Sequence, residues 1–410
     1  MGGEEGDYGI RPIGNDRSVS VSAKWEQTRQ ELLLELAALP SEGDVVQWQR
    51  RLADAIIDAE SSKVGTDRAE AKRHRHLLRV IADGLVHELL HDHTIRSLSR
   101  HPGKPASLSA QGADFDFVFE QASRLYSLGF VPIIADLTTL IGVGDIVGWN
   151  GEGVVVLECK NRPAPLREAT TGRLARQRHR GEQVETYLTT STLDEGDFVR
   201  QAYTMSLPSP DWAAVTDLLE RCEGSRTGVA VYSLGPNDIL LAATSQATPE
   251  HVMTLMSDFG ESTSPTVVFY SGLIDTASYR IMAPSSYPVG GDRRWRLLEG
   301  ELRLIRLVDM SNFAAEFDHE GAVIALVPEQ SAGRFNLRID VDGREYTKIT
   351  HELAEFCLWM PVPLAAMQQT LSDYARTLVS DRATASAEID DSPYRAPGDK
   401  FMYATVYRPE

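Results

Sequence analysis

The segment at residues 144–162, GDIVGWNGEGVVVLECKNR, constrains the fold of this chain more than any other part of its sequence. Two runs of strand-forming residues flank Asn150-Gly151, the strongest short-range signal for a β-hairpin. A loop of these two residues places Asp145 opposite Val156, and a loop of residues 150–153 places it opposite Glu158. Because side chains alternate along a strand and opposite residues share a face, either loop puts Asp145 on the face of Glu158 and Lys160.

The second run of the hairpin begins apolar and ends in charge. Residues 154–157 are all apolar, and Glu158 and Lys160 follow on one face. Two carboxylates and an ammonium group at the end of a buried strand cost free energy unless they pair with one another or hold a cation. Carboxylate oxygens are the ligands that Mg²⁺ prefers, and a lysine can orient a water molecule and offset negative charge. The pattern favours metal-dependent phosphodiester hydrolysis, with Asp145, Glu158 and Lys160 as catalytic residues.

The helices on either side of the hairpin extend this pattern. A predicted helix at residues 114–128 carries Glu120, and a predicted helix at 174–188 carries Gln183 and Tyr187 four residues apart on one face. With these motifs, residues 114–233 resemble the RecB-like branch of the PD-(D/E)XK nuclease superfamily, which has a QxxxY motif. Asp145 matches the lone aspartate of the family name and residues 158–160 match its ExK triplet, while Gly144 stands in place of the proline.

The resemblance implies a restriction-endonuclease-like αβββαβ core with a Mg²⁺ ion, for which Mn²⁺ can substitute. The metal ligands that it implies are Glu120, Asp145 and Glu158. Asp114 and Asp116 lie near Glu120 and compete with it for this role.

The implied substrate is DNA, in phage defence, restriction or repair. Lys160 is expected to position the attacking water, and Gln183 and Tyr187 to steer the substrate. Arginines between the active strand and the following helix are expected to contact phosphates. Those singled out are Arg173, Arg176 and Arg180.

The rest of the chain divides at changes in composition. Helical spacing of apolar residues predicts an N-terminal helical region at 20–110, and a stretch rich in Pro, Gly and Ser separates it from a nuclease-like domain at 113–245. A strand at 227–233 is predicted to complete the αβββαβ core. A mixed α/β domain of open role is predicted at 246–380. Residues 381–410 are predicted to be a mostly flexible tail, in which 401–407 could return as a strand.

The formal net charge of -18 argues against general coating of nucleic acid, because an acidic surface repels phosphate. Nucleic-acid contacts must therefore be local. Two stretches supply local positive charge, residues 68–79 and 160–180. For the first, an ordinary solvated helix face is the favoured interpretation.

The cysteines and the hydropathy pattern indicate a cytoplasmic protein without a membrane span. The three cysteines, Cys159, Cys222 and Cys357, have neither CxxC nor zinc-like spacing, so they indicate neither a disulfide framework nor a cysteine-rich metal site. The N-terminus lacks the basic and apolar parts of a signal peptide. A protein partner could bind the N-terminal helices or the C-terminal domain.

Two other functions remain open. The segment from His87 to His91 has the HExxH spacing of zinc metalloproteases, although Asp92 follows it and no third ligand appears at a familiar interval. The chain could also be a catalytically inactive scaffold or sensor that binds nucleic acid without cutting it. Taken singly, each motif residue could be ordinary turn, ion-pair or helix-surface chemistry.

Overall fold

The computed structural model describes residues 23–36, 39, 44–61, 68–90, 92–99, 107–161, 173–190, 192–194, 199–201, 208, 210–256, 266–271, 284–309, 313–331, 334–349, 361–385 and 400–407. Helices and mostly antiparallel sheets alternate through these residues, so the predicted mixed α/β class is confirmed. None of the described helices combines the length and apolar character that a membrane span requires.

The N-terminal helices share one hydrophobic core with the sheet that follows them. They are α1 (Ala23–Leu36), α2 (Val45–Ser61), α3 (Arg68–Leu89) and α4 (Asp92–Leu98). Leu52 of α2 and Leu77 of α3 are fully buried in the core that also contains Ile146 and Val156. The helical region therefore packs directly against the candidate site instead of standing apart from it.

A helix precedes the three antiparallel strands that begin the first sheet. Helix α5 (Ala113–Ser127) buries Phe115, Phe119 and Ala122 at the predicted three- and four-residue spacing. Strands β1 (Val131–Ile134), β2 (Ile146–Trp149) and β3 (Gly153–Lys160) follow.

The hairpin formed by β2 and β3 has a four-residue loop, the longer of the two predicted loops. Trp149 lies opposite Val154, so residues 150–153 form the loop and Asp145 precedes the strand in register with Glu158. The side-chain oxygen of Asn150 accepts hydrogen bonds from the N–H groups of residues 152 and 153, at 3.1 and 3.0 Å. Asn150 thus stabilises the loop that sets the register.

The last strand of the first sheet differs from the prediction. Residues 227–233 were expected there, but β6 (Val229–Gly235) pairs with β7 (Asp238–Thr244) in another sheet. The position beside β3 is taken by β14 (Lys400–Tyr407), which runs parallel to β3 and packs against helix α6 (Arg173–Thr190). The assignment of 227–233 was wrong because periodicity identifies a strand without identifying its partner. The predicted tail accordingly contains a strand of the first sheet.

The segment between α6 and β14 contains a second unit with its own core. Its second sheet has the order β6, β7, β9 (Leu302–Val308), β8 (Thr266–Phe269). Its third sheet is a meander of β10 (Ala315–His319), β11 (Ala322–Ser331), β12 (Arg334–Val341) and β13 (Arg344–Ile349). Both sheets share a core with α7 (Trp212–Gly224) and α10 (Leu364–Ala385). The predicted boundary at 245 falls inside the second sheet.

Shorter elements complete the described chain. The strands β4 (Thr192–Asp194) and β5 (Val199–Gln201) form a small antiparallel pair, and α8 (Pro249–Met256) follows β7. Helix α9 (Gly291–Glu299) joins the two cores, because its Trp295 and Leu298 belong to the first core and its Leu297 belongs to the second.

Candidate active site

The predicted catalytic residues lie at one end of the first sheet. Strands β1, β3 and β14 finish at this end and β2 begins there. The N–H of Ala135 donates to the Asp145 carbonyl at 2.9 Å, and the N–H of Asp145 donates to the Leu157 carbonyl at 2.7 Å. Backbone hydrogen bonds from both neighbouring strands therefore hold Asp145 in place.

The side chains of Asp145, Glu158 and Lys160 converge there. Glu158 is buried, with 4% of its surface exposed, and its carboxylate forms an ion pair with the Lys160 ammonium. The Asp145 Oδ2 atom accepts a hydrogen bond from the N–H of Cys159 at 2.6 Å. Two carboxylates and one ammonium group thus share a small, largely enclosed volume.

Burial and charge shift the acidity of this group. Burial and the adjacent Glu158 carboxylate raise the pKa of Asp145 to about 7, against the N–H of Cys159 and the Lys160 ammonium, which lower it. Burial also raises the pKa of the Cys159 thiol to about 12, so Cys159 is not a thiolate nucleophile at neutral pH. The negative charges of two adjacent carboxylates repel each other, and a bound cation relieves this repulsion.

Gly144 has a backbone conformation that the proline of the family motif cannot adopt. Its φ is +75°, whereas proline fixes φ near -65°. A Cβ atom at Gly144 would lie 2.4 Å from Cγ1 of Val156, which is fully buried. Close packing against β3 and a left-handed backbone both require glycine directly before Asp145.

Helices α3 and α4 anchor the loop that leads into Asp145. The fully buried Asp83 carboxylate accepts hydrogen bonds from the N–H of Thr139 at 2.8 Å and from its hydroxyl at 2.5 Å. The N–H of Gly142 donates to the Leu98 carbonyl at 2.9 Å. Burial raises the pKa of Asp83 to about 7, against the hydrogen bonds that lower it.

A further carboxylate, Asp136, faces the site from beyond β1. Its side chain accepts a hydrogen bond from Gln111 at 2.7 Å, and its backbone carbonyl accepts one from Nε of Arg79 at 3.3 Å. The charge of Asp136 contributes to the raised pKa of Asp145. Sequence reasoning missed Asp83 and Asp136, although each is a lone acid inside an apolar run, which could have marked it.

The structure does not bring Glu120 together with Asp145 and Glu158. Glu120 is exposed on α5. Within the described residues, which include all three carboxylates, no group of three or more His, Cys, Asp or Glu side chains is arranged to hold a metal ion. Of the two competitors, Asp114 accepts a hydrogen bond from Asn161 at 2.7 Å, beside the end of β3, whereas Asp116 pairs with Arg50 at 3.1 Å.

The predicted substrate-binding residues lie on α6, which packs against β14. Gln183 is half-buried and Arg180 is exposed. The side chains of Tyr187, Arg173 and Arg176 lie outside the described part of the structure, so the paired orientation of Gln183 and Tyr187 stays a prediction.

The HExxH segment does not form a complete helical motif in the described residues. Helix α3 ends at Leu89, two positions before His91, which lies outside the described residues. Glu88, the expected general base of such a site, forms an ion pair with Arg294 at 3.1 Å.

Comparisons of this chain with protein-family models, with curated proteins and with solved structures found no match.

Proposed function

We propose that this chain is a metal-dependent nuclease that hydrolyses DNA phosphodiester bonds at the end of the first sheet. The observation that carries the proposal is the convergence of Asp145, Glu158 and Lys160, from two strands, in one enclosed position. The succession of α5, β1, β2, β3, α6 and β14 supports it, since it has the αβββαβ order that the resemblance implies.

The residues present fit a Mg²⁺ ion with Asp145 and Glu158 as protein ligands. Mg²⁺ keeps several water molecules and commonly takes only one or two carboxylates from the protein, with substrate phosphates completing its shell. A third carboxylate is therefore not required. The raised pKa of Asp145 supports this fit, because a divalent ion would offset the repulsion between the two carboxylates.

The chemistry of such a site divides between the ion and the chain. A Mg²⁺ ion held by Asp145 and Glu158 would polarise the scissile phosphate and lower the pKa of a water molecule bound to it. The Lys160 ammonium, held beside the carboxylates by Glu158, orients the attacking water and offsets the negative charge that develops on the phosphate. Asp145 is kept in position by its backbone hydrogen bonds and by the N–H of Cys159.

Three substitutions test the proposal on a labelled DNA duplex with Mg²⁺ or Mn²⁺. Glu158→Gln keeps the shape but removes the charge, and we expect single-turnover cleavage to fall at least about a hundredfold. Lys160→Ala is expected to slow cleavage about 10²–10³-fold, the effect of losing one charge-stabilising group. DNA affinity should change little in either variant, because phosphate contacts supply affinity while the site supplies chemistry.

Two controls interpret these results. Glu120→Gln should lower the cleavage rate less than Glu158→Gln, because Glu120 is exposed and outside the carboxylate pair. His87→Ala should leave cleavage unchanged. Wild-type protein that binds DNA without metal-dependent cleavage would overturn the enzyme proposal and favour a non-cleaving binding protein. Activity that survives Glu158→Gln and is lost in His87→Ala would place the site at the HExxH segment.

A further inference from the structure

Helix α3 carries a row of basic residues on one face. Arg68, Lys72, Arg75 and Arg79 follow one another at intervals of four, three and four residues, the spacing that aligns side chains along a helix. At 1.5 Å per residue, the row is roughly 16 Å long. We define these four residues as the α3 basic row.

The inner and outer residues of the row differ in their surroundings. Arg73, on another face of α3, pairs with Glu299 at 2.6 Å, and Arg79 lies 3.9 Å from Glu60. Within the described residues, Arg68, Lys72 and Arg75 form no ion pair. Arg68 and Lys72 are exposed and Arg75 is half-exposed. In the described part of the chain, solvent therefore reaches these three side chains.

The inner end of the row lies beside the candidate active site. Arg79 donates from Nε to the Asp136 carbonyl at 3.3 Å, and the N–H of the preceding residue, Ala135, donates to the Asp145 carbonyl at 2.9 Å. One turn further along the same face, Asp83 holds Thr139 in the loop that leads to Asp145. The α3 basic row thus starts next to the carboxylates and extends away from them.

The first sheet separates the inner end of the row from helix α6. Arg79 contacts the carbonyl of Asp136, directly after the edge strand β1, whereas α6, with the exposed Arg180, packs on β14, the other edge strand, and on α4. Four strands at about 4.8 Å spacing separate these edges by roughly 14 Å. Asp145 and Glu158 lie at the strand ends between the two contacts.

We propose that the α3 basic row binds the phosphate backbone of the DNA that enters the candidate active site. This inference rests on the proposed nuclease function and adds a second contact surface to it. Solvent-exposed cations beside a cleavage site match a polyanionic substrate, and they can attract it even though the whole chain is acidic. The N-terminal helices are then part of the substrate-binding surface.

The test compares two triple variants with the same change in charge. The first is Arg68→Gln, Lys72→Gln and Arg75→Gln. The control is Arg226→Gln, Arg303→Gln and Arg344→Gln, three exposed arginines that also form no ion pair in the described residues. Affinity for a fluorescent DNA duplex is measured in EDTA at several salt concentrations, and single-turnover cleavage is measured with Mg²⁺ at saturating DNA.

The row variant should bind DNA at least about tenfold more weakly than the control. Its slope of log affinity against log salt should be shallower by about 0.9 for each lost phosphate contact, about 3 for three contacts. Its cleavage rate at saturating DNA should stay within about twofold of wild type, since these residues supply affinity and not chemistry.

The outcomes separate this inference from the function on which it rests. Wild-type protein that neither binds nor cleaves DNA would overturn the proposed function. Wild-type protein that binds and cleaves, with equal affinity and salt slope in the row and control variants, would overturn only the inference about the α3 basic row. A row variant that loses cleavage at saturating DNA with unchanged affinity would also overturn it, because that result indicates a structural effect.

Discussion

Gly144 is the residue on which the position of Asp145 most directly depends. Gly144→Ala adds a Cβ at 2.4 Å from Val156 and retains a φ of +75°. The left-handed backbone costs about 1–2 kcal/mol and the overpacking about 1–3 kcal/mol more. We expect the free energy of unfolding, measured in urea, to fall by the sum of these two costs.

Gly151→Ala is the matched control for this substitution. Gly151 has a similar φ of +85°, but its Cβ would lie 4.0 Å from the nearest atom, in Trp149. Only the backbone cost should therefore appear. Equal losses in the two variants would show that Gly144 does not pack closely against β3.

Asp83 gives the chain a pH-dependent stability that can be isolated by substitution. Burial raises its pKa from the ordinary value of 3.8 to about 7 in the folded protein, so the folded state holds the proton in the window between these values. The wild-type protein therefore loses stability as pH rises from about 4 to about 7. Asp83→Asn removes this titration while keeping a hydrogen-bond acceptor for Thr139.

The stability of Asp83→Asn relative to wild type should accordingly increase with pH up to about 7 and then level off. The increase is expected to be on the order of 2–4 kcal/mol, measured by urea unfolding at a series of pH values. A difference that is constant between pH 4 and 8 would contradict the raised pKa.

The sequence predicted the residues of the carboxylate pair better than their surroundings. Alternation along strands and the Asn150-Gly151 signal are local, and together they placed Asp145 on the face of Glu158 and Lys160. The position of Glu120 depends on the rotation of α5 against the sheet, which periodicity does not specify. The contact between Asp83 and Thr139 joins segments that are distant in the sequence, so no local sequence pattern predicts this contact.

Among the elements, β14 has the largest effect on the first sheet. It pairs with β3 along its whole length, from Gly153 to Lys160. Deleting residues 400–410 would leave the backbone groups of β3 unpaired at a sheet edge. We expect this truncated chain to unfold at lower urea concentration, to associate in size-exclusion chromatography and to lose cleavage activity.

Deletion of residues 408–410 alone is the control, because it leaves β14 intact. A synthetic peptide of residues 398–410 should restore part of the stability and activity of the truncated chain. Full stability and activity in the chain without β14 would show that the first sheet does not need this strand.

Most individual elements follow from the sequence, whereas their pairing does not. β1 has the predicted bounds. β14 begins one residue before the strand that the sequence suggested at 401–407. Both are short β-rich runs that fit several partners equally well. Choosing between β6 and β14 as the partner of β3 required knowing that residues 210–385 build a core of their own.

At the scale of the whole molecule, Glu299 links the N-terminal helices to α9. It accepts hydrogen bonds from Arg29 at 2.9 Å and from Arg73 at 2.6 Å, and the Arg29 side chain is only 1% exposed. Glu299→Gln leaves a buried guanidinium without its counter-ion, which typically costs about 3–5 kcal/mol. We expect the urea midpoint, followed by tryptophan fluorescence, to fall by a corresponding amount.

Glu301→Gln, two residues away and exposed, should leave that midpoint unchanged. The same midpoint in both variants would mean that Glu299 does not join the two parts of the molecule.

The pairing of β3 with β14 also has a consequence for biosynthesis. During translation β3 leaves the ribosome first, and residues 161–399 must be made before its partner strand follows. At about 5–20 residues per second, this delay is on the order of 10–50 s. Throughout that time β3, which carries Glu158 and Lys160, is an open sheet edge. A chain terminated anywhere in the interval never completes the sheet that holds them beside Asp145.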